Sequence, residues 1–598
     1  MQTEVNKRNS DPSNITERVE SLLAQMTLAE KIGQMTQVEK NSITPEDVTK
    51  YAIGSILSGG GGNPSENTPE NWRDMVRSFA QAALESRLGI PMIYGVDAVH
   101  GHNNVVGATI FPHNNGLGAT RDADLLERIG QATARELLAT NVHWDFAPAV
   151  STPQDVRWGR SYEGFSEQTE VVQQMALAYI RGLETKDAEG RWVLPSVKHF
   201  VGDGGTTWGS TVRAPWLEAS NWQGPTDMFK IDQGDNRVDE ETLRSLHLAP
   251  YIEAIKAGVL NIMVSFSSYQ GTKMHAHRYL LTDVLKNEYG FEGFLVSDWM
   301  AIDQINESFY TSTVESINAG LDMIMVPFDF KRFIDTLTEA VNKGDVSQER
   351  IDDAVRRILR VKFLLGVFDE PLVEGVSIDE VGSDAHRQLA AEAVRKSLVL
   401  LKNDNAALPI SSESRRVVVA GPAADDIGMA CGGWSISWQG ERGMTTQGCT
   451  LMDGIRSYAG NVEYDKDGKF AERADVGIVV VSEEPYAEGL GDKSDLSLTE
   501  EQKTLITNVR QQSDKVILVI YSGRPLIITD VVDQCDAIVA AWLPGTEVHA
   551  AADVLFGNVP FTGKLSYNWP RSMAQVPLSA LKASDEPPLY PFGHGLEA

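Results

Sequence analysis

The sequence predicts a two-part α/β protein, a (β/α)8-type barrel followed by an open α/β sandwich. Three observations predict it. Short apolar runs without polar alternation recur between amphipathic stretches, as expected of strands buried on both faces. Seven of them fall within about 320 residues, close to the count of a closed parallel barrel. A second series of strand-then-helix units follows a stretch rich in Pro, Gly, Ser and acids. A chain of 598 residues also exceeds what one hydrophobic core supports.

Residues 1–14 read as a disordered lead. The barrel is expected over 15–370. Its strands are Ile53–Leu57, Pro91–Asp97, Val142–Val150, Leu194–Val201, Asn261–Ser268, Phe294–Trp299 and Asp322–Pro327, with one more hidden or irregular. Gly59–Gly62 reads as a loop, because no Gly-Lys-Ser/Thr follows to make it a phosphate cradle. A helix closes the region. Ser347 caps it, Ile351, Val355, Ile358 and Leu359 draw one apolar stripe, and Gly366 stops it. Residues 371–387 read as a linker. The sandwich is expected over 388–575, with buried strands at Arg415–Pro422, Val476–Ser482, Val516–Ser522 and Ala537–Leu543. Residues 576–598 are expected to pack back as a tail.

Composition excludes several classes. No run of about 18 apolar residues exists, so no membrane helix is expected. The polar start Met1–Ser10 has no apolar signal core. The protein is therefore cytoplasmic, or it is periplasmic or secreted after loss of a leader. Lys and Arg total 53 against 83 Asp and Glu, and the net charge of −30 opposes nucleic-acid backbones and anionic membranes. Cys431, Cys449 and Cys535 make neither a disulfide framework nor a zinc spacing. Asp465-x-Asp467-Gly468 puts its glycine at the fourth position, not the sixth of a calcium loop. No Gly-x-Gly-x-x-Gly follows a strand, which removes the dinucleotide reading. No metal and no cofactor is expected, and the oligomeric state is left open.

Several barrel strands end in groups able to face one ligand. Gly293-Phe-Leu-Val-Ser-Asp-Trp-Met300 places Asp298 and Trp299 at the end of a buried strand, where barrel enzymes carry their chemistry. The bland alternative is that Asp298 caps a helix. Asp97 ends another strand. Lys198-His199 lies inside an apolar strand, costly unless paired, and Lys198 with Asp97 could form one buried salt bridge. Arg160 lies in Arg157-Trp-Gly-Arg160 after a fourth strand. Charged forks beside indoles suit a sugar, whose hydroxyls take hydrogen bonds and whose C–H face lies on an aromatic ring. Hydrolysing a glycosidic bond needs two carboxylates in opposed protonation states. Asp298 is expected ionised, its pKa lowered by Lys198 or Arg160. The barrel offers no equal second acid. The loop Ser482–Asp492 of the second domain, expected to be flexible and acidic, supplies candidates.

Four ordered motifs carry a resemblance. They are Tyr94-Gly-Val-Asp97-x-Val-His-Gly101, Arg157-Trp-Gly-Arg160-x-Tyr-Glu163, Lys198-His-Phe-Val-Gly-Asp-Gly-Gly205 and Gly293-Phe-x-Val-Ser-Asp298-Trp299. Together they resemble glycoside hydrolase family three over essentially the whole chain, nearest to its two-domain exo-acting β-glucosidases and β-glucan glucohydrolases. The resemblance implies retaining exo-hydrolysis of a β-glucoside or β-glucan oligosaccharide. It assigns Asp298 as nucleophile and Glu488 as acid/base. It implies that Asp97, Arg160, Lys198 and His199 hold the terminal glucose, and that Trp299 and Trp434 clamp the next sugar. Two positions depart: Phe266 replaces a tyrosine, losing its hydroxyl, and Gln304 replaces an arginine. An apparent insertion over 206–229 carries Trp208, Trp216 and Trp222, either a surface loop or an extra wall on the aglycone side.

Rival readings are a β-xylosidase, a β-N-acetylhexosaminidase of the same family, and a non-catalytic sugar-binding protein. The second would use a histidine after the Lys-His strand, yet no histidine follows His199 until His247. The third would lack one carboxylate.

Overall fold

The computed structural model describes residues 12–597 apart from 213, 218–227, 412, 413, 415, 580, 581 and 583. Most of the lead expected over 1–14, and Trp222, lie outside the described residues. Helix Pro12–Leu23 occupies the last positions of that lead.

Eight parallel strands form the barrel. Ile324–Met325, Thr36–Glu39, Ser55–Ser58, Ile93–Val96, Trp144–Asp145 and Leu194–Pro195 make one arc in that order. Val197–Phe200, Asn261–Val264 and Phe294–Val296 make the other. Ser196 joins the arcs, because Leu194–Pro195 and Val197–Phe200 are one interrupted strand. The opposite seam is held by a single parallel bridge, Val296 to Met323.

The eighth strand, hidden in the sequence, is Thr36-Gln-Val-Glu39. All four residues are buried, although only Val38 is aliphatic. Gln37 Nε2 donates to Ser55 Oγ at 2.9 Å, so partnered polar side chains replace the apolar run that marks the other strands. The closing helix forms over Gln348–Leu365 with the predicted ends. Ser347 accepts the Arg350 N–H, and Gly366 takes a left-handed φ of +83° that only glycine adopts without strain.

Asp322 reinforces the weakly paired seam. It is fully buried, accepts from Lys286 Nζ at 2.8 and 2.9 Å, from Arg350 Nη2 at 2.5 Å and from the Leu295 N–H at 2.8 Å. One carboxylate thus ties the strand Phe294–Val296 to the helix Gln348–Leu365 beside that bridge.

The second domain is a six-stranded sheet in the order Val399–Asn403, Ala537–Trp542, Ser513–Tyr521, Ala474–Ser482, Val417–Ala420, Val462–Asp465. Its four interior strands are those read from the sequence. The two edges were not read, since Val462-Glu-Tyr-Asp465 is half-exposed and Val399–Asn403 runs antiparallel beside Ala537–Trp542. Helix Asp384–Ser397 starts inside the stretch expected as linker. At the far end Leu596 bridges to Leu400. Among the described residues no helix is long and apolar enough to cross a membrane.

Asp322→Ala leaves Lys286 buried without its charged partner, and is expected to lower unfolding free energy by about 3–5 kcal/mol in urea titrations. A loss below about 1 kcal/mol, the worth of an exposed pair, would remove Asp322 from the closure of the barrel.

Candidate active site

A cavity of about 140 Å³ opens at the C-terminal rim of the barrel, roofed by the second domain. Asp97, Arg160, Lys198, His199, Asp298, Trp299, Trp434 and Glu488 all line it, so eight of the nine residues singled out in the sequence converge on one space. Phe266 is not on that lining. Its ring lies 6.3 Å from the ring of His275.

Asp298 follows the strand Phe294–Val296. It is not a helix cap: the next helical turn, Ala301–Gln304, is preceded by Met300. Its backbone N–H donates to His275 Nε2 at 3.0 Å, and its Oδ1 accepts from the Trp299 N–H at 2.7 Å. Oδ2 is buried with no hydrogen-bond partner among the described residues. Burial pushes this carboxyl up to about 6, against the lowering pull of Arg160, the Trp299 N–H and Lys198. The cations expected to lower the pKa do so, but the lost hydration of an enclosed carboxylate outweighs them.

Glu488 comes from the other domain, on the turn Glu488–Gly491 after the strand Ala474–Ser482. The loop expected to be flexible is instead packed: Glu483, Glu488 and Asp492 are all buried. Arg524 holds it from behind, donating to the carbonyls of Gly491 at 2.6 Å and Arg157 at 2.9 Å. Gly159 permits the docking, because a Cβ there would fall 1.9 Å from the Glu488 carbonyl oxygen. Glu488 Oε2 is the second buried carboxylate oxygen in the cavity without a partner among the described residues. Burial drives its pKa well above the ordinary value. Arg160 pulls the other way, and the charges of Asp232, Asp298 and Glu163 add to the rise.

Arg160 links the two acids. Its Nε and Nη2 fork onto Glu163 at 2.9 and 2.8 Å, Nη1 lies 3.6 Å from Glu488 Oε1, and Nη2 donates to His199 Nε2 at 3.0 Å. His199 Nε2 is therefore an acceptor, and Nδ1 carries the proton toward Asp203 Oδ2 at 3.0 Å. Burial, with Arg160 and Lys198 alongside, keeps this imidazole neutral. His199 Nε2 also lies 3.8 Å from Asp298 Oδ2. Lys198 and Asp97 form the salt bridge foreseen as the bland alternative, at 2.8 Å, while both still line the cavity.

Three groups were missed as site residues. Glu163 appeared only as part of a motif, yet it anchors Arg160 and accepts the Trp434 indole N–H at 3.1 Å. Trp434 is consequently buried deep, with Lys198 Nζ 5.8 Å from its ring centroid. Trp438 is the more exposed indole of that loop and lines the cavity together with Trp299. The glycines read as a plain loop fit here: a Cβ on Gly59 would lie 3.1 Å from the Trp299 ring, and one on Gly60 2.7 Å from Trp438 Cα. The third is Asp492, which the resemblance names only as the end of the Glu488-x-x-Gly491-Asp492 loop motif. Oδ1 accepts from the Gly159 N–H at 2.9 Å, and Oδ2 accepts from the N–H groups of Lys230, Ile231 and Asp232 at 2.8 to 2.9 Å. Three segments distant in sequence meet on that carboxylate, which explains why periodicity did not single it out.

In the apparent insertion, Arg157 lies over the Trp208 ring at 4.4 Å, and Trp216 donates to the Asp303 carbonyl at 2.8 Å. Gln304 holds Gln233 and Lys273 at 2.9 and 2.8 Å.

Barrel, sandwich and a cavity holding one acid from each define a two-domain glycosidase. Residues 27–223 and 226–361 match the glycosyl hydrolase family 3 N-terminal domain, and residues 398–598 match the glycosyl hydrolase family 3 C-terminal domain. The chain belongs to glycosyl hydrolase family 3. It is 32% identical to a lysosomal beta glucosidase of Dictyostelium discoideum, over 97% of this chain and 75% of that one. An exo-1,3/1,4-beta-glucanase from a Pseudoalteromonas species superposes with a TM-score of 0.90 at 40% identity, covering 98% of this chain and 74% of the other. A beta-glucosidase from Listeria innocua, solved in complex with glucose, superposes with a TM-score of 0.83 at 25% identity, covering 97% and 83%.

Asp492→Ala should unpin the Glu488 turn from the barrel loops. The expected outcome in steady-state hydrolysis of an aryl glycoside is a loss of about tenfold or more in kcat, about 1.4 kcal/mol of barrier, with KM little changed. Wild-type kcat would mean the turn is held without it.

Proposed function

We propose that this protein is a retaining, exo-acting β-glucosidase that releases glucose from the non-reducing end of β-gluco-oligosaccharides or β-glucans. One observation carries the reading: Asp298 Oδ2 and Glu488 Oε2, from different domains, are buried in one cavity without hydrogen-bond partners among the described residues. Unsatisfied buried carboxylate oxygens are costly, and a substrate that engages both relieves the cost. The names of the relatives support a β-glucosidic substrate.

In this mechanism Asp298 attacks the anomeric carbon as the bond to the leaving oxygen breaks. Glu488 gives that oxygen its proton, and a covalent glycosyl-enzyme results. Glu488, now ionised, takes a proton from water, and the water's oxygen displaces Asp298. The two pKa directions suit these roles. Asp298, near 6, is ionised at neutral pH, while Glu488 stays protonated well above the usual carboxylate range. Arg160 stabilises Glu488 once it has lost its proton. Asp97, Arg160, Lys198 and His199 hold the terminal sugar, and their ion pairs close the inner end, which limits cleavage to chain ends. Trp299 and Trp438 flank the next sugar. Trp438 takes the place first given to Trp434, whose indole N–H is committed to Glu163.

Asp298→Ala should lose about four orders of magnitude or more in kcat on aryl β-glucosides. Activity within tenfold of wild type would end its assignment as nucleophile. Glu488→Ala should slow poor leaving groups by about 10²–10⁴-fold, spare activated aryl glucosides, and recover with azide. Absence of azide rescue would move the acid/base role elsewhere.

The kcat/KM profile should be bell-shaped. It falls below about pH 6 as Asp298 takes up a proton, and falls again at higher pH as Glu488 loses one. On activated substrates Glu488→Ala should keep the acid limb and lose the alkaline one. Retention of both limbs would separate the alkaline limb from Glu488.

Trp438→Ala should raise KM for gluco-disaccharides more than for aryl glucosides, while Trp434→Ala should impair both. Equal losses in the Trp438 variant would place that indole outside the second subsite. Faster turnover of aryl β-xylosides than β-glucosides would favour the xylosidase reading.

A further inference from the structure

The second domain holds another cluster of reactive side chains, and none of its members lines the catalytic cavity. Cys449 ends the loop that begins at the two indoles. Glu547 and His549 sit just past the strand Ala537–Trp542, at the start of the short turn Val548–Ala550. A thiol sulfur, a carboxylate oxygen and an imidazole nitrogen from these three residues all lie within 4.8 Å of one another.

The cluster is unfinished as a hydrogen-bonded group. His549 Nδ1 is buried and has no hydrogen-bond partner among the described residues, although Glu547 Oε2 stands 3.6 Å away. That distance is too long for a hydrogen bond. The other carboxylate oxygen, Oε1, is committed to Arg387 Nη1 at 2.8 Å, which fixes the carboxylate in place. The backbones are tied as well. The Cys449 N–H donates to the Thr546 carbonyl at 2.9 Å, and the His549 N–H donates to the Cys449 carbonyl at 3.1 Å.

We propose that Cys449, Glu547 and His549 form a three-ligand site for Zn²⁺, with water in the fourth position. Sulfur, nitrogen and oxygen donors together suit a borderline-soft divalent ion, whereas Mg²⁺ and Ca²⁺ need oxygen throughout. Zinc bonds of about 2.0–2.3 Å put donor atoms roughly 3–4 Å apart, so closing this cluster takes small side-chain rotations and no backbone movement. Binding converts the Cys449 thiol to a thiolate and releases its proton to solvent. Occupancy would join the indole loop to the helix Ala551–Leu555 and stabilise the second domain by mass action. No spacing motif announces such a site, because Cys449 lies about a hundred residues before Glu547 and His549.

The other two cysteines are buried, so native alkylation of the full-length protein reads Cys449 alone. After chelator treatment, Zn²⁺ at ten times its Kd should slow iodoacetamide labelling of Cys449 about tenfold, and Mg²⁺ should not. One equivalent of Co²⁺ should produce a thiolate-to-cobalt charge-transfer band. His549→Ala should still label, but lose both the zinc protection and the band. Aryl-glucoside turnover of this variant should match wild type, which keeps the result separate from the catalytic reading. Zinc protection persisting in His549→Ala, or Co²⁺ binding without a thiolate band in wild type, would overturn the proposal.

Discussion

The guanidinium of Arg160 is the point on which the site depends. Glu163 grips it from one side, His199 accepts from it, and Glu488 of the other domain stands within ion-pair distance. Around it lie several enclosed carboxylates, and a low-dielectric space does not tolerate that many negative charges. The cations on the cavity wall are Arg160 and Lys198, and Lys198 is paired with Asp97. One acid must therefore remain protonated. Burial and the surrounding negative charge place the proton on Glu488, while Asp298 titrates near 6. The difference in protonation between the two acids follows from charge balance as much as from position.

That balance exists only while the domains stay docked. Arg524 reaches across to the carbonyls of Val156 and Arg157, and Asp492 gathers N–H groups from two barrel loops. Both side chains are buried, so these charge-assisted bonds are not weakened by water. Gly159 lets the backbones touch. The second domain is thus a fixed wall of the site, and its acid is preorganised instead of being carried in by loop closure.

The barrel supports this geometry with short strands and buried polar joints. Where the ladder thins to the bridge between Val296 and Met323, Asp322 and its cations take over. Asp298 follows the strand at that seam, so the support that closes the fold also sets the direction of this side chain. The indoles at the mouth depend on local backbone in the same way. Gly59 and Gly60 let the chain run against Trp299 and Trp438 with no side chain between.

The sequence alone carried the fold class, seven of eight barrel strands and the four interior strands of the sandwich, because a strand buried on both faces leaves an uninterrupted apolar run. It also singled out Asp298, Lys198 and His199, since polar groups inside or at the end of such a run are conspicuous. It did not carry Thr36–Glu39 or the sheet edges, where paired polar groups or solvent replace that run. Only the tertiary structure decided that Asp298 is raised and not lowered in pKa, because desolvation is a property of the enclosure. It alone brought Asp492 to four barrel amides, and it alone showed Trp434 bonded to Glu163 and Trp438 beside it on the cavity wall. Contacts between residues hundreds of positions apart leave no period in the chain, and they are what made these side chains a site.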